Sequence, residues 1–368
     1  MREAEALAPL LCDMNLAMKI TALLAFVVCI ANAASLPIRG VHLAVPSTKD
    51  VPLLARFIRE ALPKEGVNVL VLEFDYRYQF TKHPEVVDPD PLSKEEVAQL
   101  VAAAKEAGVR IIPQINCLGH QSWEKNTLAL LRTHPEFDET QGKYPQNEGI
   151  YCRSYCPLHP AVHDVLFDLM DELISVTQAD AFHVGMDEVF LLGEDACPRC
   201  KGKNKAELFA TEVRTLHDHL AKSGRTMWMW GDRFLNGDVS GIGKWEGSII
   251  NTEAAIYAVP KDIVITDWHY DQAVPTAALF AIEGLNVVSS PWRKSNVALA
   301  QLDLILSVRA NANETIAPRM QGVLQTTWCD TGDFVRAYYG QDTGKVEALE
   351  AANCFKTLFK AIRDSEPK

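Results

Sequence analysis

Eight short runs rich in β-branched and apolar residues recur along the chain, each followed by a helical stretch. This alternation limits the fold more than any other feature. The runs are Ile38–Leu43, Val67–Glu73, Val109–Ile115, Ala181–Gly185, Thr226–Trp230, Ile263–Asp267, Asn286–Ser290 and Gly322–Thr326. Near-continuous apolarity over five to eight residues is what strands buried on both faces require. Helices are predicted through Val51–Leu62, Ser93–Gly108, Ala161–Val176, Lys205–Lys222, Val274–Glu283, Val297–Ala312 and Thr343–Ile362, with a fifth, weakly patterned one near Asn251–Ala258. Ser93 with Glu95 and Glu96 in the first turn reads as an N-cap, and Gly108 as the matching stop. Eight β runs alternating with helices predict an α/β fold of the (β/α)8 TIM-barrel type. A doubly wound sheet fits less well, because no glycine-rich phosphate loop follows the first run. No linker or internal repeat divides the chain, so residues 34–368 read as a single catalytic domain.

The first 33 residues are set apart as a leader. Met18-Lys19, the apolar run Ile20–Ile30 and Ala31-Asn32-Ala33 have the form of a secretory signal peptide, with translation starting at Met14 or Met18. The run is too short for a membrane span, which takes about 20 residues. The expected location is therefore secreted or periplasmic. A net charge of −12 excludes polyanions such as nucleic acid as natural partners. Of nine cysteines, Cys12 and Cys29 fall in the leader, while Cys152, Cys156, Cys197 and Cys200 form two close pairs. Disulfides, free thiols and a structural zinc all suit these four. Cys117, Cys329 and Cys354 read as buried.

The longest inserts, Asn116–His159 and Asp187–Asn204, follow the third and fourth runs at the strand ends where barrel enzymes place their chemistry. The fourth run ends in Asp187-Glu188. Carboxylates avoid such a position unless paired or used, although a helix cap with an acidic first turn is the structural alternative. Trp230, Trp268, Trp292 and Trp328 follow four successive runs and read as the wall of a pocket for sugar rings, whose C–H faces stack on indoles. Polar residues converge on the same rim: Glu73 and Asp75; Gln114, Asn116 and His120; Asp232 and Arg233; His269, Tyr270 and Asp271; Arg293; and Asp330.

His183-Val184-Gly185-Met186-Asp187-Glu188-Val189 resembles the His-x-Gly-x-Asp-Glu motif of the family 20 glycoside hydrolases, the β-N-acetylhexosaminidases. Gly119-His120 and Trp328-Cys329-Asp330 are similar to that family's Gly-His and Trp-x-acid motifs. Gln114, and Leu192-Gly193-Glu194 beyond the acid pair, look closest to its hexosaminidase D-like branch. The resemblance spans about Ile38 to Ile362. It implies a retaining exo-enzyme acting on terminal GlcNAc or GalNAc of an amino-sugar glycan, with no metal or organic cofactor for the chemistry. In such enzymes the substrate's 2-acetamido oxygen serves as nucleophile, an exception to the usual two-carboxylate scheme. Glu188 would then be the general acid and base, and Asp187 would orient the acetamido N–H. Tyr270 would hold the acetamido oxygen, with Trp230, Trp268 and Trp328 around the methyl group. His120 and His183 would support the acids, while Trp292, Glu73, Asp232 and Asp330 would complete the site.

The stretch Leu43-Ala44-Val45-Pro46-Ser47 departs from the family, which places an acid and an arginine there. Hydroxyl recognition would fall to Glu73, Asp75 or Arg293. Two other readings stand beside this one: a sugar-binding barrel without turnover, which the missing arginine supports, and a glycosidase of other specificity that pairs one of the acids with Glu73 or Asp330.

Overall fold

The computed structural model describes residues 36–366; the leader reading falls outside them. Eight parallel strands close into a barrel: β1 (Ile38–Ala44), β2 (Val69–Glu73), β3 (Arg110–Cys117), β4 (Ala181–Gly185), β5 (Thr226–Trp230), β6 (Val264–Trp268), β7 (Asn286–Ser290) and β8 (Met320–Thr326). Each strand pairs with its neighbours in sequence, and β1 closes on β8 with Ile38 opposite Gly322 and His42 opposite Thr326. Around it lie α1 (Val51–Glu60), α2 (Lys94–Ala107), α3 (Val162–Thr177), α4 (Lys205–Lys222), α5 (Thr276–Ile282), α6 (Ser295–Asn311), α7 (Thr331–Tyr338) and α8 (Val346–Ser365). The crossover after β5 is a 3₁₀ stretch, Glu253–Ala258, where the helical pattern was weakest. Ser93 forms a capping box with Glu96, and Gly108 takes the left-handed conformation at the end of α2. The predicted last helix, Thr343–Ile362, is α8, and α7 is an additional helix before it, separated from α8 by a turn in which Gly340 and Gly344 have positive φ.

Alternation along the strands sorts side chains by layer. Ile38, Val69, Val71, Ile112, Ala181, Trp228, Val264, Val288 and Leu324, drawn from all eight strands, fill the barrel interior. The opposite faces, such as Leu70 and Leu72 of β2 or Phe182 and Val184 of β4, pack into the larger core beneath the helices. Two residues further along the strands the interior turns polar, with His42, Gln114, His183 and Thr266 all fully buried around Trp230. One step further the strands open into a pocket. Among the described residues, no helix is long and apolar enough to cross a membrane.

Candidate active site

β4 ends at Gly185, and the chain leaves it through three positive-φ residues, Gly185 (66°), Met186 (72°) and Glu188 (47°). Such angles are costly for residues with a Cβ and persist where surrounding structure enforces them. No helix begins here. The next, α4, starts at Lys205 with Asn204 as its cap, so Asp187 and Glu188 are not capping residues. They instead line a cavity of about 720 Å³ together with Glu73, Asp75, Asn116, His120, Tyr151, Tyr270 and five tryptophans.

His120 joins the two acids, its Nε2 lying 3.3 Å from Asp187 Oδ2 and 3.2 Å from Glu188 Oε2. Burial works to lower the His120 pKa, but Asp187 and Glu188 outweigh it and hold the imidazole well above its ordinary value. The β3 loop that carries it is fixed by Gln121. The Gln121 side-chain amide donates to Asn116 O (2.7 Å) and Gly119 O (2.8 Å), and its oxygen accepts from the Tyr76 hydroxyl (2.6 Å). A Cβ at position 119 would meet Asp187 O at 2.9 Å, so the residue before His120 has to be glycine for the loops to approach this closely.

Asp232 supports the pair from below. It accepts from Glu188 N (3.0 Å), Arg233 Nε (2.6 Å) and Trp268 Nε1 (3.3 Å). Burial pushes its carboxyl up to about 6, against the opposing pull of Arg233. Asp232 is 2 % exposed and does not line the cavity, so its role is to position Glu188 rather than to touch a ligand. On the other flank Asn116 donates to Glu73 Oε1 (2.7 Å) from its side chain and to Asp75 Oδ1 (2.8 Å) from its backbone. Burial raises both carboxyls, Glu73 well above the usual range and Asp75 to about 6.

Trp268, Trp292 and Trp328 line the cavity as expected. Tyr270 stacks on Trp268 with ring centroids 4.9 Å apart and meets the Trp292 ring edge-on. Its hydroxyl accepts from Trp328 Nε1 at 2.5 Å, which leaves the phenolic proton for donation to a neighbouring or bound acceptor.

Besides Asp232, three expected site residues are corrected. Trp230 is fully buried one layer below the cavity, between His42, His183 and Trp328. His183 lies in that same layer, with Nε2 2.9 Å from Thr266 Oγ1 and Nδ1 accepting from Gly185 N. Burial lowers its pKa well below the ordinary value, so it is a neutral brace under the β4 end. Asp330 is exposed and caps α7 by accepting from Asp333 N at 2.9 Å.

The cysteine set is also corrected. All seven described cysteines are free. Cys152 stands apart from the others, its thiol 3.7 Å from Glu188 O. Cys329 is only partly buried.

Sequence reasoning missed Tyr151, Trp245 and Glu246. Tyr151 lines the cavity with Glu188 and packs edge-on to His120 and Trp245. Tyr151 sits in an irregular loop and Trp245 in a single helical turn, Gly243–Glu246, both too short or too irregular for periodicity to mark them. Arg77 was missed as well. Its guanidinium donates to Val45 O (2.9 Å) and Pro46 O (3.0 Å), which brings a cation from the β2 loop to the end of β1 that has no arginine of its own.

The buried polar layer gives a pH prediction. His42 is fully buried against Gln114 (3.1 Å), and burial pushes its pKa down to about 4. A lowered histidine folds neutral, so its contribution is whole above pH 6.5 and is lost as pH falls through about 4. The span corresponds to about 3 kcal/mol. His42→Gln cannot protonate there. Urea unfolding at a series of pH values should show wild type losing about 3 kcal/mol more than the variant across that window. Parallel curves would mean that His42 is not held neutral.

A parallel barrel with an acid pair at the C-terminal end of a strand, under an aromatic wall, has the layout of a barrel enzyme's active site. Residues 74–317, more than half of the chain, match the catalytic domain of glycosyl hydrolase family 20, and the chain belongs to that family. It is 25% identical over 214 residues to a beta-hexosaminidase of Vibrio furnissii, which covers 57% of this chain and 31% of that protein. It is 26% identical over 200 residues to a beta-hexosaminidase of Emericella nidulans, covering 48% and 29% of the two chains. The chain thus spans about a third of the length of these relatives. In fold it is similar to the chitobiase of Flavobacterium johnsoniae, with a TM-score of 0.61 and 18% identity over 90% of this chain and 53% of that one.

Proposed function

We propose that the chain is a retaining exo-β-N-acetylhexosaminidase that removes terminal GlcNAc or GalNAc from glycans by substrate assistance. The observation that carries the reading is the adjacent pair Asp187 and Glu188, held by one histidine at the floor of a pocket walled by Trp268, Trp292, Trp328 and Tyr270. Two acids on one strand end suit a mechanism in which the enzyme supplies no nucleophile. Glu188 gives its proton to the glycosidic oxygen as the C1–O bond breaks and the substrate's acetamido oxygen bonds to C1. Asp187 accepts from the acetamido N–H and offsets the positive charge of the oxazolinium ion. Tyr270 donates to the acetamido oxygen, and the indoles enclose the methyl group. Water then attacks C1, Glu188 takes the water proton, the bond from C1 to the acetamido oxygen breaks, and two inversions leave the β configuration. Asp330 cannot be a partner acid, because it lies outside the cavity.

The test is release of para-nitrophenol from the β-N-acetylglucosaminide, the β-N-acetylgalactosaminide and the β-glucoside. Turnover of one or both N-acetyl substrates without the glucoside is the expected result. Turnover of the glucoside at comparable rates would overturn substrate assistance. No turnover with sugar binding still measurable would leave a binding barrel.

Export is also part of this reading, supported by the basic start, apolar run and Ala-x-Ala of residues 18–33. N-terminal sequencing of protein from the secreted or periplasmic fraction should begin at Ala34. A product that stays with the cytoplasm uncleaved would reject it.

A further inference from the structure

The β3 loop folds back on itself through an antiparallel bridge between Asp138 and Tyr155, which brings Glu139 beside Cys156. The β4 loop brings up Cys197-Pro198-Arg199-Cys200 from the other side. Carboxylate and sulfur atoms of Glu139, Cys156, Cys197 and Cys200 all lie within 4.8 Å of one another. We propose that these four residues hold a structural zinc ion that clamps the β3 loop to the β4 loop.

The donor set suits zinc, which takes thiolates with a carboxylate or imidazole in tetrahedral array. Cys156 Sγ is 3.4 Å from both Cys197 Sγ and Cys200 Sγ. That is close to the roughly 3.8 Å edge of a tetrahedron with Zn–S of about 2.3 Å. Each of the four side chains is at most 2 % exposed. Glu139 Oε1 accepts from Glu194 N at 3.0 Å, but Oε2 is buried with no hydrogen-bond partner. A cation among the sulfurs supplies that partner.

A disulfide accounts for less. Joining any two of the three sulfurs leaves one buried thiol, a weak donor, as all that the set offers the buried Glu139 carboxylate. With four protein ligands the site has no open position, so its role is structural rather than catalytic. It is distinct from the acid pair, and it stands whatever the sugar substrate is. The two loops it joins carry His120 and Tyr151 on one side and Asp187 and Glu188 on the other.

The experiment is metal analysis of the full-length protein, expressed with zinc and dialysed against metal-free buffer. About one zinc per chain is expected in wild type, and full retention in Cys152→Ser, whose sulfur lies outside the set. Cys200→Ser and Glu139→Gln should lose zinc at least about tenfold more readily to a competing chelator. Cobalt exchanged into wild type should give a thiolate-to-metal charge-transfer band and tetrahedral d–d absorption. Wild-type protein without zinc would overturn the proposal, as would a disulfide mapped by peptide mass between any two of Cys156, Cys197 and Cys200. Equal zinc loss from Cys152→Ser and Cys200→Ser would overturn the ligand set. Should Cys200→Ser fail to fold, wild-type stoichiometry and the cobalt spectrum still decide.

Discussion

Glu188→Gln should lower kcat/KM on unactivated N-acetyl disaccharides by about 10²- to 10⁴-fold, the usual worth of a positioned general acid. The geometry makes this a clean substitution. Glutamine has the shape of glutamate, the Asp232 bond is to the backbone N–H of residue 188, and His120 keeps its second partner in Asp187. The loss should therefore not be a folding loss. It should also depend on the leaving group. A nitrophenolate leaves without a proton, so the first step on that substrate suffers far less than on a disaccharide, while the water step still lacks its base. Binding of a thiazoline analogue of the oxazolinium ion should persist, because Asp187 and Tyr270 are untouched. The measurement is a paired kinetic comparison on disaccharide and nitrophenyl glycoside, with calorimetry for the analogue. Wild-type rates on the disaccharide would remove Glu188 from its role.

The strands and the acid pair were legible because each obeys a rule visible along one segment. Apolar runs of strand length mark the barrel, and acids have no structural reason to end such a run unless they cap a helix. Depth within the barrel is harder to read. Trp230 and Trp268 both close their strands, yet Trp230 stops one layer lower, because the ends of β5 and β6 are staggered, with Trp230 level with Thr266 rather than with Trp268. His183 follows the same logic: it is two residues short of the β4 end and meets Thr266 instead of the cavity. Asp330 was placed on the rim by its neighbour Trp328, but α7 begins at once and takes its carboxylate as a cap. The loops were least legible. Spacing grouped Cys152 with Cys156, whereas the folded loop exchanges Cys152 for Glu139, 13 positions earlier.

Gly185→Ala should cost far more than its size suggests, and comparison with Gly108→Ala shows why. Both glycines have nearly the same positive φ, 66° and 65°. At position 108 an added Cβ meets nothing within 4 Å, so only the left-handed backbone is penalised, at about 1 kcal/mol. At position 185 the Cβ would stand 2.2 Å from Asn116 Oδ1 and 2.7 Å from Asn116 Cα. A flexible side-chain tip could move aside, but a backbone atom cannot without displacing β3. The register between β3 and β4 is already shifted between Gln114 and Cys117, which brings this part of β3 against Gly185. The overpacking term adds about 1–3 kcal/mol, for a total of about 2–4 kcal/mol. Asn116 also holds Glu73 and Asp75, and the residue after next from Gly185 is Asp187, so any relief of the clash shifts both sides of the pocket. Displacement of that kind near 1 Å can cost about 10²-fold in rate. Urea unfolding of the two variants together with kcat/KM gives the check. Gly108→Ala should lose about 1 kcal/mol and keep full activity, and Gly185→Ala should lose severalfold more stability with activity down about 100-fold. Equal stability losses in the two would show that the β3–β4 contact yields freely, and that the acid pair does not depend on a rigid strand end.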